Sequence, residues 1–105
     1  MSRRVEFLEA ASRDLESAIR WYDSRQTGLG EALHLEVESA LRRAVATPLA
    51  YPVVARRTRR IQVRRFPYAL FFVVYAESLL VTGVLHACQD PESWSDRIRE
   101  VAATA

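Results

Sequence analysis

The sequence predicts an α+β fold: an N-terminal strand, a helical hairpin packed on a mainly antiparallel sheet, and a short C-terminal helix. Two observations predict it. Apolar residues recur at helical spacing in two stretches of the first half, and the second half changes to the two-residue alternation and unbroken apolar runs of strands. This arrangement buries both helix stripes and one face of the sheet together. At 105 residues, we expect residues 1–105 to form a single domain.

The first two elements are a short strand and an amphipathic helix. Val5 and Phe7 alternate with charged residues, which is the period of a half-buried strand. Ser12 is a suitable N-cap for the following helix, because its hydroxyl can accept a hydrogen bond from a free amide of the first turn. The apolar stripe of this helix comprises Leu15, Ala18, Ile19 and Tyr22.

A glycine turn leads into a second helix. Gly28-Leu29-Gly30 ends the first helix, since glycine adopts the left-handed backbone that reverses the chain. Thr47-Pro48 ends the second helix, because proline disfavours helical geometry in the residue before it. The stripe of this helix comprises Leu33, Val37, Ala40, Leu41 and Ala44. The two helices form a hairpin whose apolar stripes need a common partner.

The second half of the chain predicts three strands and a helix. Ile61 and Val63 alternate with polar residues, so the arginines around them should project away from the core. The uninterrupted apolar run Leu70–Tyr75 is typical of a central strand covered on both faces. Leu79–Leu85 predicts the next strand, and the Asp90-Pro91 pair predicts the start of a short final helix.

Composition argues against a membrane or secreted protein. The longest purely apolar stretch, Ala69–Ala76, has eight residues, whereas a spanning helix needs about twenty. The first ten residues lack the apolar run of a signal peptide. One cysteine, Cys88, cannot form an internal disulfide. We therefore expect a cytoplasmic protein.

The motifs of cofactor and metal enzymes are missing from the sequence. It contains no phosphate loop, Rossmann glycine pattern, metalloprotease helix or nucleophile elbow. His34, His86 and Cys88 are too few to form a typical zinc site without several carboxylates. His86 and Cys88 could form a thiol–imidazole pair, but no third group is evident to orient them. We therefore expect no cofactor and no metal.

Basic charge is concentrated in one segment. All fifteen basic residues are arginine, and residues 51–105 carry eight of them against five acids, while residues 1–50 carry seven against eight. Six lie within ten positions: Arg56, Arg57, Arg59, Arg60, Arg64 and Arg65. Such a run can be a solvated face, but guanidinium groups this dense repel one another unless carboxylates or phosphates neutralise them. We call residues 56–65 the arginine segment and expect it to contact an acidic partner.

Two tryptophans are further candidates for partner contact. Trp21 lies beside the stripe of the first helix rather than on it, so its ring should reach a partner while Tyr22 packs in the core. Trp94 falls on the apolar face of the predicted final helix, where it covers the core or borders a site.

These residues resemble the ParE branch of the RelE/ParE toxin superfamily over nearly the whole chain. The resemblance rests on Ala18-x-x-Trp21-Tyr22, Gly28-Leu29-Gly30, Pro48-x-x-Tyr51-Pro52, Val63-Arg64-Arg65-Phe66-Pro67-Tyr68, Val84-Leu85-His86, and Asp90-Pro91-x-x-Trp94 with Arg97. It implies the toxin of a type II toxin–antitoxin system. Such a toxin is neutralised by a ParD-like antitoxin, acts on DNA gyrase, and reaches operator DNA only through the antitoxin.

The resemblance and the charge pattern together select the expected contact residues. We expect the antitoxin or the target to bind Trp21, the arginine segment (Arg56, Arg57, Arg59, Arg60, Arg64 and Arg65), His86, Trp94 and Arg97. Because these side chains include few groups that can transfer a proton at neutral pH, we expect an inhibitor that acts by binding rather than an enzyme.

Two alternatives stay open. The RelE branch cleaves messenger RNA on the ribosome, and an enzyme of that kind would use Arg60, Arg64 and His86, with His86 as the catalytic residue. The other alternative is an inactive arginine-rich binding module. Many ParE-like relatives carry arginine where this chain has Ala87-Cys88-Gln89, which fits a toxin of weak or shifted activity.

Overall fold

The computed structural model describes residues 3–87 and Arg97. Its elements are β1 (Arg4–Phe7), α1 (Glu9–Arg25), α2 (Leu29–Ala46), a 3₁₀ turn (Pro48–Ala50), β2 (Val53–Ala55), β3 (Thr58–Gln62), β4 (Tyr68–Val74) and β5 (Ser78–His86). The strands form one sheet in the order β1-β5-β4-β3-β2. β1 runs parallel to β5, and the other neighbours are antiparallel. The predicted α+β fold, with a helical hairpin and a mainly antiparallel sheet, is confirmed.

The main core lies between the helical hairpin and one face of the sheet. Leu33 and Val37 of α2 meet Phe72 of β4 and Leu79 and Val81 of β5, and all five side chains are almost fully buried. Burial of an apolar side chain of this size contributes roughly 2 kcal/mol. The stripe of α1 packs against the same core through Leu15, Ala18, Ile19 and Tyr22.

The turn between the helices needs glycine at two positions for two reasons. Gly28 has φ 91°, the left-handed backbone that was predicted for this turn. Gly30 is buried against Ile19 and Asp23 of α1. A Cβ there would lie 2.6 Å from the carbonyl oxygen of Ile19. The Gly30 N–H also donates to Oδ1 of Asp23 at 2.7 Å, which ties the two helices together.

α1 begins earlier than the sequence predicts. The helix starts at Glu9, and the Ser12 N–H already donates to the carbonyl oxygen of Leu8 within the first turn. The prediction that Ser12 caps the helix is therefore wrong. Leu8 occupies the cap position with extended backbone and no side-chain hydrogen bond, because the chain passes directly from β1 into the helix.

β2 is a strand that the sequence reading did not predict. Val53–Ala55 pairs with the start of β3 and forms a tight hairpin closed by Ala55 and Thr58. Three residues are too few to show an alternation. Ile61 and Val63 are buried as predicted, although Val63 follows the end of β3 and donates its N–H to the carbonyl oxygen of Tyr68.

β4 is buried on both faces, as predicted for a central strand. Leu70 and Phe72 face the helices, whereas Ala69 and Phe71 join Leu85 in a smaller cluster on the other face. Phe71 pairs with Gly83 and Phe72 with Val81, so β5 has one extra residue, Thr82, at this point. The buried Thr82 hydroxyl donates to the carbonyl oxygen of Phe71 at 3.2 Å. This bulge keeps Val81 and Val84 on the same face of the sheet.

The predicted final helix starting at Asp90 lies outside the described residues, as do Cys88 and Trp94. Arg97 is the one residue of the predicted helix that the structure describes. Within residues 3–87, no helix is long and apolar enough to cross a membrane.

Candidate functional site

An ion pair between Asp14 and Arg97 continues the edge of the sheet beyond the end of β1. β1 pairs with β5 only as far as Val81. Past this point, the Val84 N–H donates to Oδ2 of Asp14 at 3.1 Å, and Nη1 of Arg97 donates to the carbonyl oxygen of Thr82 at 3.2 Å. The two side chains therefore form hydrogen bonds with backbone groups of β5 that would otherwise pair with a longer β1.

The pair itself has bidentate geometry. Nη1 of Arg97 lies 2.7 Å from Oδ2 of Asp14, and Nη2 lies 3.2 Å from Oδ1. The two side chains are only 20% and 18% exposed, so water screens their interaction less than it screens a surface pair. Arg97, predicted as a contact residue for a partner, is thus bound to α1 and β5 within the chain.

An aromatic cleft of about 470 Å³ lies beside this pair, between α1 and the adjoining ends of β4 and β5. Tyr22 lines the cleft and packs edge-to-face on Phe66, with ring centroids 5.0 Å apart. Tyr68 packs edge-to-face on His86 at 5.2 Å. The remaining lining residues are Arg13, Asp14, Ser17, Ala18, Trp21, Val84 and Leu85. The cleft can hold an apolar or aromatic group of a partner and offers polar groups at its rim.

Trp21 lies at the mouth of this cleft. Its side chain is half exposed, its ring meets Tyr22 edge-on at 4.9 Å, and the guanidinium of Arg25 lies 4.6 Å from its centroid. A large apolar ring at this level of exposure is available to a partner. The position agrees with the expectation that Trp21 rather than Tyr22 faces outward.

Tyr68 stays protonated over a wide pH range. Burial raises the pKa of its hydroxyl, and electrostatic repulsion from Tyr22 and Asp14 raises it further. At neutral pH this hydroxyl can donate or accept a hydrogen bond, but it cannot act as a base.

The fold divides the arginine segment into two groups, the first of which is held by internal contacts. Nη2 of Arg57 donates to the carbonyl oxygen of Val74 at 3.2 Å. Nη1 of Arg59 donates to the carbonyl oxygen of Tyr51 at 2.7 Å. Nη2 of Arg60 donates to Oε1 of Gln62 at 3.0 Å. These contacts orient the guanidinium groups but bring no negative charge to them.

The second group is exposed at the two ends of β3. Arg56 lies in the β2–β3 turn, and Arg64 and Arg65 lie in the loop before β4. Within residues 3–87, the segment has one ion pair, in which Nη1 of Arg65 lies 3.7 Å from Oε2 of Glu36. Arg65 is 65% exposed and Glu36 20%, and a partly exposed pair at this distance contributes less than about 1 kcal/mol. Most of the positive charge of the arginine segment is therefore not neutralised by the described residues.

The structure does not bring Arg60 and His86 together. Ile61, Leu70 and Val84 are register neighbours in the core facing the helices, and His86 shares the face of Val84. Arg60 belongs to the opposite face, because side chains alternate along a strand. The ribonuclease alternative, which groups Arg60 with His86 on one RNA, gains no support from this arrangement.

The sequence reading did not identify Asp14 and Tyr68 as members of a site. Asp14 precedes Ala18 and Tyr22 by one and two helical repeats, so it lies in line with the apolar stripe of α1. An acidic residue in that line indicates a carboxylate directed toward the sheet. Nothing in the sequence near Tyr68 indicates its contact with His86, which depends on the pairing of β4 with β5.

Comparison with known proteins finds one family model and solved structures that are similar to this chain. Residues 5–91 match the model of a family described as the ParE toxin of type II toxin–antitoxin systems, parDE. A structure titled "Chromosomal ParDE TA system from P. aeruginosa" aligns with a TM-score of 0.71 at 11% identity, over 81% of this chain and 96% of that chain. A free-state structure of a doubly substituted E. coli toxin RelE aligns with a TM-score of 0.72 at 18% identity, over 96% and 99%. No curated protein matches significantly in sequence.

Proposed function

Because the chain belongs to the ParE toxin family of type II toxin–antitoxin systems, we propose that it inhibits DNA gyrase in the cytoplasm by binding and that a ParD-like antitoxin neutralises it. The family match over residues 5–91 carries this proposal. The solved ParDE system of P. aeruginosa has the same fold and supports an antitoxin partner of the ParD kind.

The chemistry of the described side chains supports inhibition by binding rather than catalysis. Arginine remains charged at any physiological pH and cannot serve as an acid or a base. Tyr68 keeps its proton because its pKa is raised, and His86 lies on the other face of the sheet from Arg60. The exposed arginines and the half-exposed Trp21 are suited instead to contact with a macromolecule.

The antitoxin would use two surfaces of the toxin. Its acidic residues would meet the arginine segment, where the described residues leave positive charge unneutralised. Its apolar residues would enter a groove of about 370 Å³ between α1 and α2, lined mainly by Leu15, Ile19, Val37 and Leu41. Operator DNA would be bound by the antitoxin and not by this chain.

Pulse labelling in bacteria after induction of this protein tests the proposal. We expect incorporation of thymidine to fall within minutes while incorporation of amino acids continues. Co-expression of the antitoxin, as the small open reading frame that such systems usually carry adjacent to the toxin gene, should restore thymidine incorporation. Purified toxin should then inhibit supercoiling by gyrase. Gly30→Val provides the control for expression burden, because its side chain would collide with the carbonyl oxygen of Ile19 and disrupt the hairpin.

An early fall in amino acid incorporation, with thymidine incorporation maintained, would instead support the RelE-like ribonuclease. Full growth and unchanged incorporation of both labels, with the protein present at normal level, would support an inactive binding module.

A further inference from the structure

Two residues of the arginine segment have a positive φ, a backbone conformation that most residues with a side chain avoid. Arg56 has φ 50° and Arg65 has φ 70°, and no other residue except glycine has a positive φ in the described part of the chain. In this region the Cβ atom crowds the following carbonyl group, so glycine or asparagine is the usual occupant. Both arginines occur in turns, where such a substitution would be sterically simple.

Each turn fixes its arginine at one end of β3. Arg56 is the first of two residues between the paired Ala55 and Thr58. Arg65 lies in the turn that is closed by the hydrogen bond from the Val63 N–H to the carbonyl oxygen of Tyr68, at 2.9 Å. At about 3.3 Å per residue of extended chain, the five residues of β3 separate the two turns by roughly 16 Å.

Within the described residues, the contacts of the two side chains do not offset the free-energy cost of their positive φ. Arg56 is exposed and has no hydrogen bond or ion pair there. The side chain of Arg65 is 65% exposed, lies 3.7 Å from Glu36 and 5.8 Å from the ring centroid of Phe66. By contrast, Arg59 has an ordinary negative φ and a hydrogen bond of 2.7 Å to the carbonyl oxygen of Tyr51. The strain at Arg56 and Arg65 is therefore not offset by strong contacts within the described residues.

We infer that Arg56 and Arg65 are the residues of the arginine segment that bind carboxylates of the antitoxin, one at each end of β3. The inference rests on the proposed function and names the contact residues within it. Unfavourable backbone conformations persist where the surrounding structure enforces them and where the side chain serves a function. Because both residues are held in tight turns, their backbone is already fixed before the partner arrives, which lowers the backbone part of the entropy cost of binding.

Carboxylates of a protein fit this arrangement better than phosphates of a nucleic acid. A nucleic acid backbone presents negative charges at short, regular intervals and is bound by successive cations. Here three of the four arginines between the two strained positions donate to internal acceptors: Arg57 to Val74, Arg59 to Tyr51 and Arg60 to Gln62. Two separate cations fit two separate acidic side chains.

The test compares Arg56→Gly and Arg65→Gly with Arg42→Ala, which removes an exposed arginine of α2 that has an ordinary φ and lies outside the arginine segment. The probes are the purified product of the adjacent small open reading frame and a 20-base-pair DNA duplex. Each glycine variant should raise the Tm by roughly 3 °C, because strain is relieved, and should weaken binding of the antitoxin about tenfold. Arg42→Ala should leave the Tm unchanged and the affinity within about threefold.

The outcomes separate this inference from the proposed function. Wild-type affinity in both glycine variants, with the wild-type protein binding the antitoxin tightly, would overturn the inference and leave the proposed function intact. A lowered Tm would overturn it as well, since the arginines would then be stabilising their turns. Selective loss of DNA binding would assign the two residues to phosphates. Failure of the wild-type protein to bind the antitoxin would overturn the proposed function itself.

Discussion

Arginine has opposite roles in two regions of this protein. At the edge of β5, one arginine, Arg97, binds both carboxylate oxygens of Asp14 and the carbonyl oxygen of Thr82 and is about four-fifths buried. In the arginine segment, six arginines have a single ion pair within residues 3–87, which is 3.7 Å long and involves an arginine side chain that is 65% exposed. The difference depends on whether another element delivers a carboxylate. Asp14 and Arg97 are 83 positions apart in the sequence. The local density of charge in the sequence therefore does not show which arginines stabilise the fold.

Asp14→Ala should produce the largest effect. It tests whether the ion pair between Asp14 and Arg97 stabilises the fold. The substitution leaves the guanidinium of Arg97 and the N–H of Val84 without their acceptor in a mostly buried place. We expect a loss of about 2 to 3 kcal/mol of unfolding free energy, measured by urea denaturation. Arg13→Ala, which removes an exposed pair with Glu9, is the matched control and should cost less than about 0.5 kcal/mol.

A double-mutant cycle sharpens this prediction. If Asp14 and Arg97 stabilise the fold mainly through each other, Asp14→Ala combined with Arg97→Ala should cost little more than Asp14→Ala alone. Additive losses would show that Arg97 acts through other contacts, and the contrast between the two regions would disappear.

Arg59→Ala tests whether the arginine segment is uniform. Nη1 of Arg59 donates to the carbonyl oxygens of Tyr51 and Leu49, at 2.7 and 3.4 Å, and thereby holds the loop before β2. We expect its removal to cost about 1 kcal/mol in the same urea experiment. Arg64→Ala should change stability by less than about 0.5 kcal/mol. Equal effects would mean that the segment is one solvated face.

Tyr68→Phe should have the smallest effect, which is confined to alkaline pH. Burial raises the pKa of Tyr68 above its ordinary value of 10.0, so the unfolded chain loses this proton before the native protein does. Stability should therefore fall as the pH rises above about 10, until the native pKa is passed. Tyr68→Phe should remove this part of the decline in urea unfolding between pH 9 and pH 11. An identical decline in the variant would show that Tyr68 does not titrate in this way.

The periodic parts of the fold could be predicted because they depend on local pattern. The stripe of α2 and the apolar run of β4 are long enough to show their periods, and both are buried as expected. β2 has three residues and cannot show a period. The start of α1 was misplaced because Leu8 takes the cap position without any side-chain signal.

The candidate site was predicted less completely because it depends on pairing between distant segments. The sequence indicated Trp21 as an exposed ring at the edge of a stripe, and the side chain is half exposed. It could not show that Arg60 and His86 belong to opposite faces, which follows from the register of β3, β4 and β5. It also could not show that Arg56 and Arg65 have positive φ, because arginine carries no signal for that conformation.

The parallel pairing of β1 with β5 affects how the protein folds while it is being synthesised. Arg4 pairs with Ser78, 74 positions later, so β1 leaves the ribosome long before its partner exists. At about 5 to 20 residues per second, this interval lasts roughly 4 to 15 s. The helical hairpin consists of local contacts and can form during that time, whereas the sheet must await β5. In a nascent chain, β1 is therefore still unpaired while the apolar stripes of the hairpin are exposed to water.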